Sequence, residues 1–435
     1  MKKIIFFLKK LKSTFWFIPV LIILITILIS IGLVSLDQVI SLPKEGLARF
    51  FFVNSADSAR SILSTISGAM IGVAGTVFSI TLVALTLAST QFGPRLIRNF
   101  MYVRLNQVVL GSYVSTYLYC LFVLNAIKET DGYTFMPSLS ILVAIIAAFV
   151  NIILLIVFIH QIATSIQADK VISDISAIIS KQFKTLYPEK MGDELDDKYT
   201  INADFIKSKY KIKKSIKSNT NGYAQYIDNE ALLETISELN GLLVLDFKPG
   251  DHMVEGLEIG QLFTNETISE EQLEDITDQF VFGKTKNAQQ DLEFSILQMV
   301  EIASRALSPG VNDPFTAITC IDNLTATMCR LSQVTFPSNY RLDDDNHLRI
   351  ITENLTFEDF LDSSFNQIRQ YSAGCTSVIL KLMDALITID KFAKKEAHKH
   401  AINKHAKMII NVGKASLNEE NDLNLLLERS KNIIP

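Results

Sequence analysis

GAMIGVAGTVFSITLVALTLASTQF, residues 68–92, lies inside a longer run, between Arg60 and Arg95, that holds no Asp, Glu, Lys or Arg. That run exceeds the roughly 20 apolar residues that cross a bilayer as a helix. Gly68, Gly72, Gly75, Ser79 and Thr86 recur within it at steps of three, four and seven, with Thr76 beside them. Such steps collect small residues on one helix face. A face of this kind packs closely against another helix or, lined with hydroxyls, faces water in a pore. Read as one helix, Ser61–Gln91 would be about 46 Å long at 1.5 Å per residue. That overshoots a hydrocarbon core of about 30 Å, so the helix either projects from the membrane or tilts.

Three more apolar stretches flank this one. FWFIPVLIILITILISIGLV, residues 15–34, is longer than the apolar core of a signal peptide, about 7–15 residues, and no A-x-A site follows it. It reads as a retained first span, with Trp16 at its interfacial end. The third span is about Val108–Ala126 and the fourth about Ser138–Ile159. Lysines 2, 3, 9, 10 and 12 precede the first span, and Arg95, Arg98 and Arg104 lie between the second and third without an acid. The other two loops mix both signs. An excess of Lys and Arg marks the cytoplasmic side, so the N- and C-termini are both expected in the cytoplasm. Beyond the fourth span, Ile159, Ile162, Ile166, Ile172, Ile175, Ile179 and Phe183 keep helical spacing. One long helix leaving the membrane is expected, with His160 at its exit.

The chain has 435 residues, which suggests two to three domains. Hydrophobic residues make up 49% and charged ones 20%, below the ~25% usual in soluble domains. The net charge of -5 gives no basic signature for nucleic acid. None of the four cysteines, Cys120, Cys320, Cys329 and Cys375, forms a C-x-x-C pair, which argues against a disulfide scaffold or a structural zinc. The expected fold class is an integral membrane, four-span α-helical bundle followed by a cytoplasmic α+β unit and a mostly helical C-terminal region. The expected divisions are 1–160 for the membrane bundle, 161–221 for a helix extension and charged linker, 222–266 for a small α+β domain, and 267–435 for a helical domain. In the linker an acidic patch from Glu189 to Asp197 precedes Lys207, Lys209, Lys211, Lys213, Lys214 and Lys217. The favoured reading is a solvated linker; the other is contact with anionic lipid headgroups, worth about 1 kcal/mol per charge.

In the α+β part, GYAQYID (222–228) alternates as a strand and NEALLETISELN (229–240) has helical spacing, capped by Asp228 or Asn229. GLLVLDF is a second strand, and Pro249-Gly250 marks a turn into a third. Helices are expected over Ser269–Phe280, Ala288–Arg305, Phe357–Arg369, Ser377–Phe392, Ala397–Val412 and Glu419–Ser430. Thr356 is the expected cap of the third. Asn312 or Asp313 caps a further helix with Pro314 at its first position.

Enzyme motifs fail. Gly283-Lys284-Thr285 echoes a phosphate loop, but the earlier glycine it needs is Asp278. No G-x-S-x-G or H-E-x-x-H occurs. His398, His400 and His405 read as part of a solvated basic helix, so neither a metal site, a cofactor nor an enzymatic activity is expected.

Four stretches carry a resemblance: GTVFSITLVALTLASTQFGPRLIRNF (75–100), FIHQIATSIQ (158–167), GYAQYID, and QDLEFSILQMVEIASRALSPGVNDPFTAITCID (290–322). Together they resemble the predicted bacterial membrane proteins catalogued as domain of unknown function 2254, from about Phe15 to Leu324. The resemblance implies an integral membrane protein and brings no activity. The resemblance implies an Arg-Thr pair, usual in the family, where Lys286-Asn287 stands here; if that Arg clamps a carboxylate with two bonds, Lys cannot copy it.

The polar cluster around residues 308–314 (SPGVNDP) is the ligand or regulatory candidate: Asp291, Glu301, Arg305, Ser308, Asn312 and Asp313. Glu301 and Arg305 stand four apart on one helix, acid first, and the helix start near Phe315 offers free N–H groups to an anion. The alternative is a tight helix–turn–helix corner in which Gly310 supplies an unusual backbone angle. The absence of charges in the spans argues against an ion-coupled pump. Two functions remain. One is a homo-oligomeric, channel-like protein of the inner membrane, with Gly68, Gly72, Gly75, Thr76, Ser79 and Thr86 at a pore or helix interface and Arg95 and Arg98 at its mouth, passing small ions. The other is a membrane-anchored sensor or scaffold that binds an anionic ligand at the polar cluster.

Overall fold

The computed structural model describes residues 14–39, 55–93, 104–130, 133–186 and 207–434. Among the described residues, its first compact unit, residues 1–170, holds four helices long and apolar enough to cross a membrane: α1 (Phe17–Asp37), α2 (Ala56–Phe92), α3 (Arg104–Ala126) and, after a short hairpin of β1 (Lys128–Thr130) and β2 (Tyr133–Phe135), α4 (Ser138–Ser165). Three of the four expected spans fall inside them, and the first, 15–34, begins two residues before α1. α2 is one unbroken helix of 37 residues, about 55 Å, longer than the sequence suggests because Ser55 caps it six residues earlier, accepting a bond from Ser58 N.

Two polar devices hold this unit. The Asn151 amide, fully buried in α4, donates to Thr116 Oγ1 at 2.8 Å and Met70 Sδ at 3.4 Å and accepts from Ser112 Oγ at 2.6 Å. Tyr113 OH donates to the Asn151 carbonyl at 2.7 Å. Asp37, at the end of α1, caps α4 from 102 residues away: Leu139 N and Ser140 N donate to its two oxygens at 2.9 Å, and Ser140 Oγ at 2.6 Å. Pro137, the residue before α4, offers no side-chain cap of its own.

The expected continuous helix beyond α4 is interrupted. α4 ends at Ser165 and a separate amphipathic helix, α5 (Ala168–Leu186), begins. Thr164 Oγ1 and Ser165 Oγ bond back to the carbonyls of His160 and Gln161, and Gln167 N closes a tighter turn onto Thr164 O. Hydroxyls that compete for helix carbonyls in this way weaken the last turn.

The second unit spans residues 171–435. α5 buries Val171, Ile172, Ile175 and Ile179 in it. Then follow β3 (Ile212–Lys217), β4 (Gly222–Ile227), α6 (Asn229–Glu238), β5 (Leu242–Leu245), β6 (His252–Met253), β7 (Glu258–Thr264), α7 (Glu270–Thr277), β8 (Phe280–Gly283), α8 (Leu292–Ala306), α9 (Pro314–Leu331), β9 (Tyr340–Leu342), β10 (Leu348–Ile351), α10 (Phe357–Tyr371), α11 (Thr376–Phe392), α12 (Glu396–Ser416) and α13 (Glu420–Ser430). A five-stranded sheet runs β3-β7-β5-β10-β9, antiparallel except for β5 beside β10, and a three-stranded antiparallel sheet runs β6-β4-β8. Leu232, Ile236, Leu243, Phe247, Leu262 and Ile276 centre the core between them and α6 and α7.

Four sequence expectations change here. The end of the basic half of the linker, Ile212–Lys217, is strand β3. The helix expected to reach Phe280 stops at Thr277, because Phe280 enters β8 and its ring packs edge-on against Phe247. β9 and β10 fall in the mostly helical region, in a stretch assigned to no element; Asp343 makes their turn by accepting from Asp345 N and His347 N while Asn346 takes a positive φ of 61°. The expected caps are present at Asp228, Asp313 and Thr356, the last as a reciprocal box with Asp359. The solvated basic helix is half wrong: His398 and His405 are buried. His398 stacks on Phe357 at 4.2 Å, and His405 Nε2 meets Asp362 Oδ1 at 2.8 Å. Burial holds both imidazoles below their usual pKa.

Asp37→Ala removes a cap and two of the first-turn donors' partners. It should lower stability by about 1–2 kcal/mol, read as a fall in the thermal midpoint of the detergent-solubilised protein, with Asp37→Asn intermediate. An unchanged midpoint would remove the cap from the list of stabilising contacts.

Candidate functional site

Helix α2 divides cleanly. Ala59, Leu63, Ser67, Met70, Ala74, Val77 and Thr81 are buried. Gly68, Gly72, Gly75, Thr76, Ser79 and Thr86 are exposed. A Cβ added at Gly68, Gly72 or Gly75 would meet no atom within 4 Å. The hydroxyls bond to their own helix: Thr76 to Gly72 O at 3.2 Å, Ser79 to Gly75 O at 2.9 Å and Thr86 to Leu82 O at 3.0 Å. Among the described residues of the unit the small-residue face therefore takes no part in packing. The glycine that does is Gly111 of α3, which sequence spacing missed: a Cβ there would stand 3.0 Å from Pro19 Cα and from Ile22 Cδ1 of α1. Arg95 and Arg98 lie outside the described residues.

The ligand candidates fall at opposite ends of α8. Asp291 caps its start and Arg305 ends it, about 21 Å away at helical rise. The structure thus separates Asp291 from Arg305, Ser308, Asn312 and Asp313, with half-buried Glu301 one turn before Arg305. The corner closes on itself. Ser308 Oγ donates to Arg305 O at 2.6 Å, Asn312 N to Ser308 O at 2.9 Å and Asp313 N to Ala306 O at 2.8 Å. The left-handed residue is Asn312, φ 50°, rather than Gly310. The start of α9 already faces a carboxylate, that of Asp313, which accepts from Thr316 N at 3.1 Å and Thr316 Oγ1 at 2.5 Å.

At the other end, Asp291 lines a cleft of about 80 Å³ with Leu186, Lys248, Pro337, Asn354 and Phe360. Asp291 is 6% exposed, and its Oδ1 accepts from Phe294 N at 2.8 Å. Gly250, at φ 100°, lies so close that a Cβ would sit 2.2 Å from Asp291 Oδ2; only glycine suits the angle and the space. Gln182 of α5 donates to the carbonyls of Ala288 and Asp291. Gln290 clasps Ile227 both ways, accepting from its N at 2.8 Å and donating to its O at 3.0 Å. Lys286, where the resemblance implies Arg, sits 5.8 Å from the centroid of the Tyr223 ring. Burial pushes the Asp291 carboxyl up to about 6, against the opposing pull of the Phe294 N–H and of Lys286. Among the described residues no three His, Cys, Asp or Glu side chains gather as metal ligands would.

A family model described as predicted membrane protein (DUF2254) matches residues 12–388. An uncharacterised protein of Mycobacterium bovis is 27% identical over 427 residues, covering 96% of this chain and 79% of its own. An uncharacterised protein of Mycobacterium tuberculosis matches to the same extent, 27% over 427 residues with 96% and 79% covered. No solved structure matches the chain.

The folded protein binds a proton at Asp291 more tightly than the unfolded chain does. This carboxyl therefore favours folding most in acid, below its unfolded pKa near 4, and loses that advantage as pH rises to about 6. Asp291→Asn keeps a capping side chain. It should flatten that slope and stabilise the protein at pH 7.5 relative to pH 4 by on the order of 1–3 kcal/mol. Wild type and variant unfolded side by side at each pH cancel the opposite contribution of His398 and His405. Parallel curves would contradict the prediction.

Proposed function

The chain belongs to the DUF2254 family of predicted membrane proteins, and from that premise we propose a multi-pass, homo-oligomeric, channel-like protein of the bacterial inner membrane that passes small ions without coupling. Its termini are cytoplasmic, and its second unit assembles or gates the pathway. The observation that carries this reading is the bare face of α2. Gly68, Gly72, Gly75, Thr76 and Ser79 are exposed, small and uncharged, while the opposite face of the same helix is fully used. A helical glycine costs about 1 kcal/mol relative to alanine. Close approach to another copy, or a water-lined path beside it, offsets that cost in a way the lone chain does not. Asp, Glu, Lys and Arg are absent from the interior of the α2 run, which fits passive passage better than a pump.

A second reading, a membrane-anchored sensor or scaffold, is favoured by the cleft at Asp291, because Gln182 ties α5 to the carbonyls on its wall. A small ligand that raises the melting temperature of wild type but not of Asp291→Asn would support it.

Planar bilayers containing the purified full chain should carry current, and Gly72→Leu or Gly75→Leu should change conductance while leaving expression and secondary structure intact. Silent bilayers across salts, potentials and tension would reject the channel. Normal conductance in both variants would reject the role of the α2 face.

A further inference from the structure

β3 is an edge of the five-stranded sheet; alternation places Lys213, Ser215 and Lys217 on one of its faces, and Lys211 stands just before it. The three lysines are exposed. Pairing with β7 sets Lys213 opposite Phe263 and Lys217 opposite Glu258, and Lys213 Nζ lies 5.9 Å from the Phe263 ring centroid. The same face carries buried Leu242, Phe263 and Leu348 with half-buried Tyr210, Val244, Tyr340, Leu342 and Ile351. Strands and Tyr210 alone contribute this cluster; no helix enters it among the described residues. One acid interrupts the row. Glu258 accepts from Ser215 Oγ and from Gln261 Nε2, and these bonds first, then Lys213 and Lys217, hold it below the usual carboxylate range. Three lysines against one glutamate leave the strip basic in a chain whose net charge is -5.

We propose that this face rests on an anionic lipid surface, the β3 lysines meeting headgroup phosphates and the tyrosines and aliphatic residues entering the interfacial zone. Charge complementarity identifies the occupant. A basic row attracts anionic headgroups, lysine stems and tyrosine rings suit a boundary that is apolar on one side and wet on the other, and a chain of this family has a bilayer within reach. Lysines that merely guard an edge against strand pairing need no half-buried aromatic face beside them.

The test uses the full chain in nanodiscs of phosphatidylcholine, with and without 30% phosphatidylglycerol. Acylation of individual lysines is followed by mass spectrometry. Lys211, Lys213 and Lys217 should react about fivefold more slowly when phosphatidylglycerol is present, and 0.5 M salt should abolish the difference. Lys399 and Lys404 of α12 serve as internal references and should not change. Equal rates in both discs overturn the proposal. So does protection in pure phosphatidylcholine, which would mean that a protein surface covers the row, and so does equal slowing at Lys399 and Lys404.

Discussion

The Asn151 amide decides how the apolar unit is arranged. It reaches α2 through Met70 and α3 through Ser112 and Thr116, and Tyr113 takes up its carbonyl. In a dry, apolar interior these groups have no water to fall back on, so each rotation that breaks one bond is costly. The network fixes the turn of α2 about its own axis. Once Met70 points inward, helical periodicity carries Ala74, Val77 and Thr81 inward with it and turns Gly68, Gly72, Gly75 and Ser79 out. The most conspicuous pattern in the sequence is thus placed on the surface by residues outside that pattern.

Periodic and local signals were legible in the sequence; pairings across long chain distances were not. The four apolar helices, the caps at Asp228, Asp313 and Thr356, and the C-terminal helices α10–α13 follow from spacing within a few turns. β9 and β10 span three and four residues, too short for a period to register. Asp37 reads as one charge in a mixed loop until α4 is seen to start beside it. Gly111 is the one glycine of its helix, with only Ser115 four residues on and no longer stripe to mark it, yet a Cβ there would stand 3.0 Å from the Pro19 backbone of α1. His405 sits among lysines in sequence, and only the neighbouring Asp362 of α10 reveals that it faces inward.

Residues 290–322, one of the four stretches that carry the family resemblance, prove to be structural at both ends of α8. Gln290 bonds to the backbone of β4, Asp291 begins the helix and shapes the turn at Gly250, and Ser308 to Asp313 close the corner into α9. Residue types that suggest a binding site (carboxylate, amide, hydroxyl, proline, glycine) are also the ones that complete backbone hydrogen bonds where a helix begins and ends. Only Asp291 keeps a chemical property beyond that duty, since burial leaves its carboxyl with a pKa of about 6 next to an open cleft.

Glycines 111 and 72 illustrate two answers to one cost. Both weaken a helix relative to alanine. At Gly111 the missing side chain lets a neighbouring backbone come to contact distance within the same chain. At Gly72 the space stays empty, and the Thr76 hydroxyl bonds to the Gly72 carbonyl without seeking a partner elsewhere. A face with no charge and no unsatisfied hydroxyl is stable against lipid as it stands. On the proposed oligomeric reading, association with a second copy would rest on close packing alone, a short-range force that side-chain volume at Gly68, Gly72 and Gly75 controls directly.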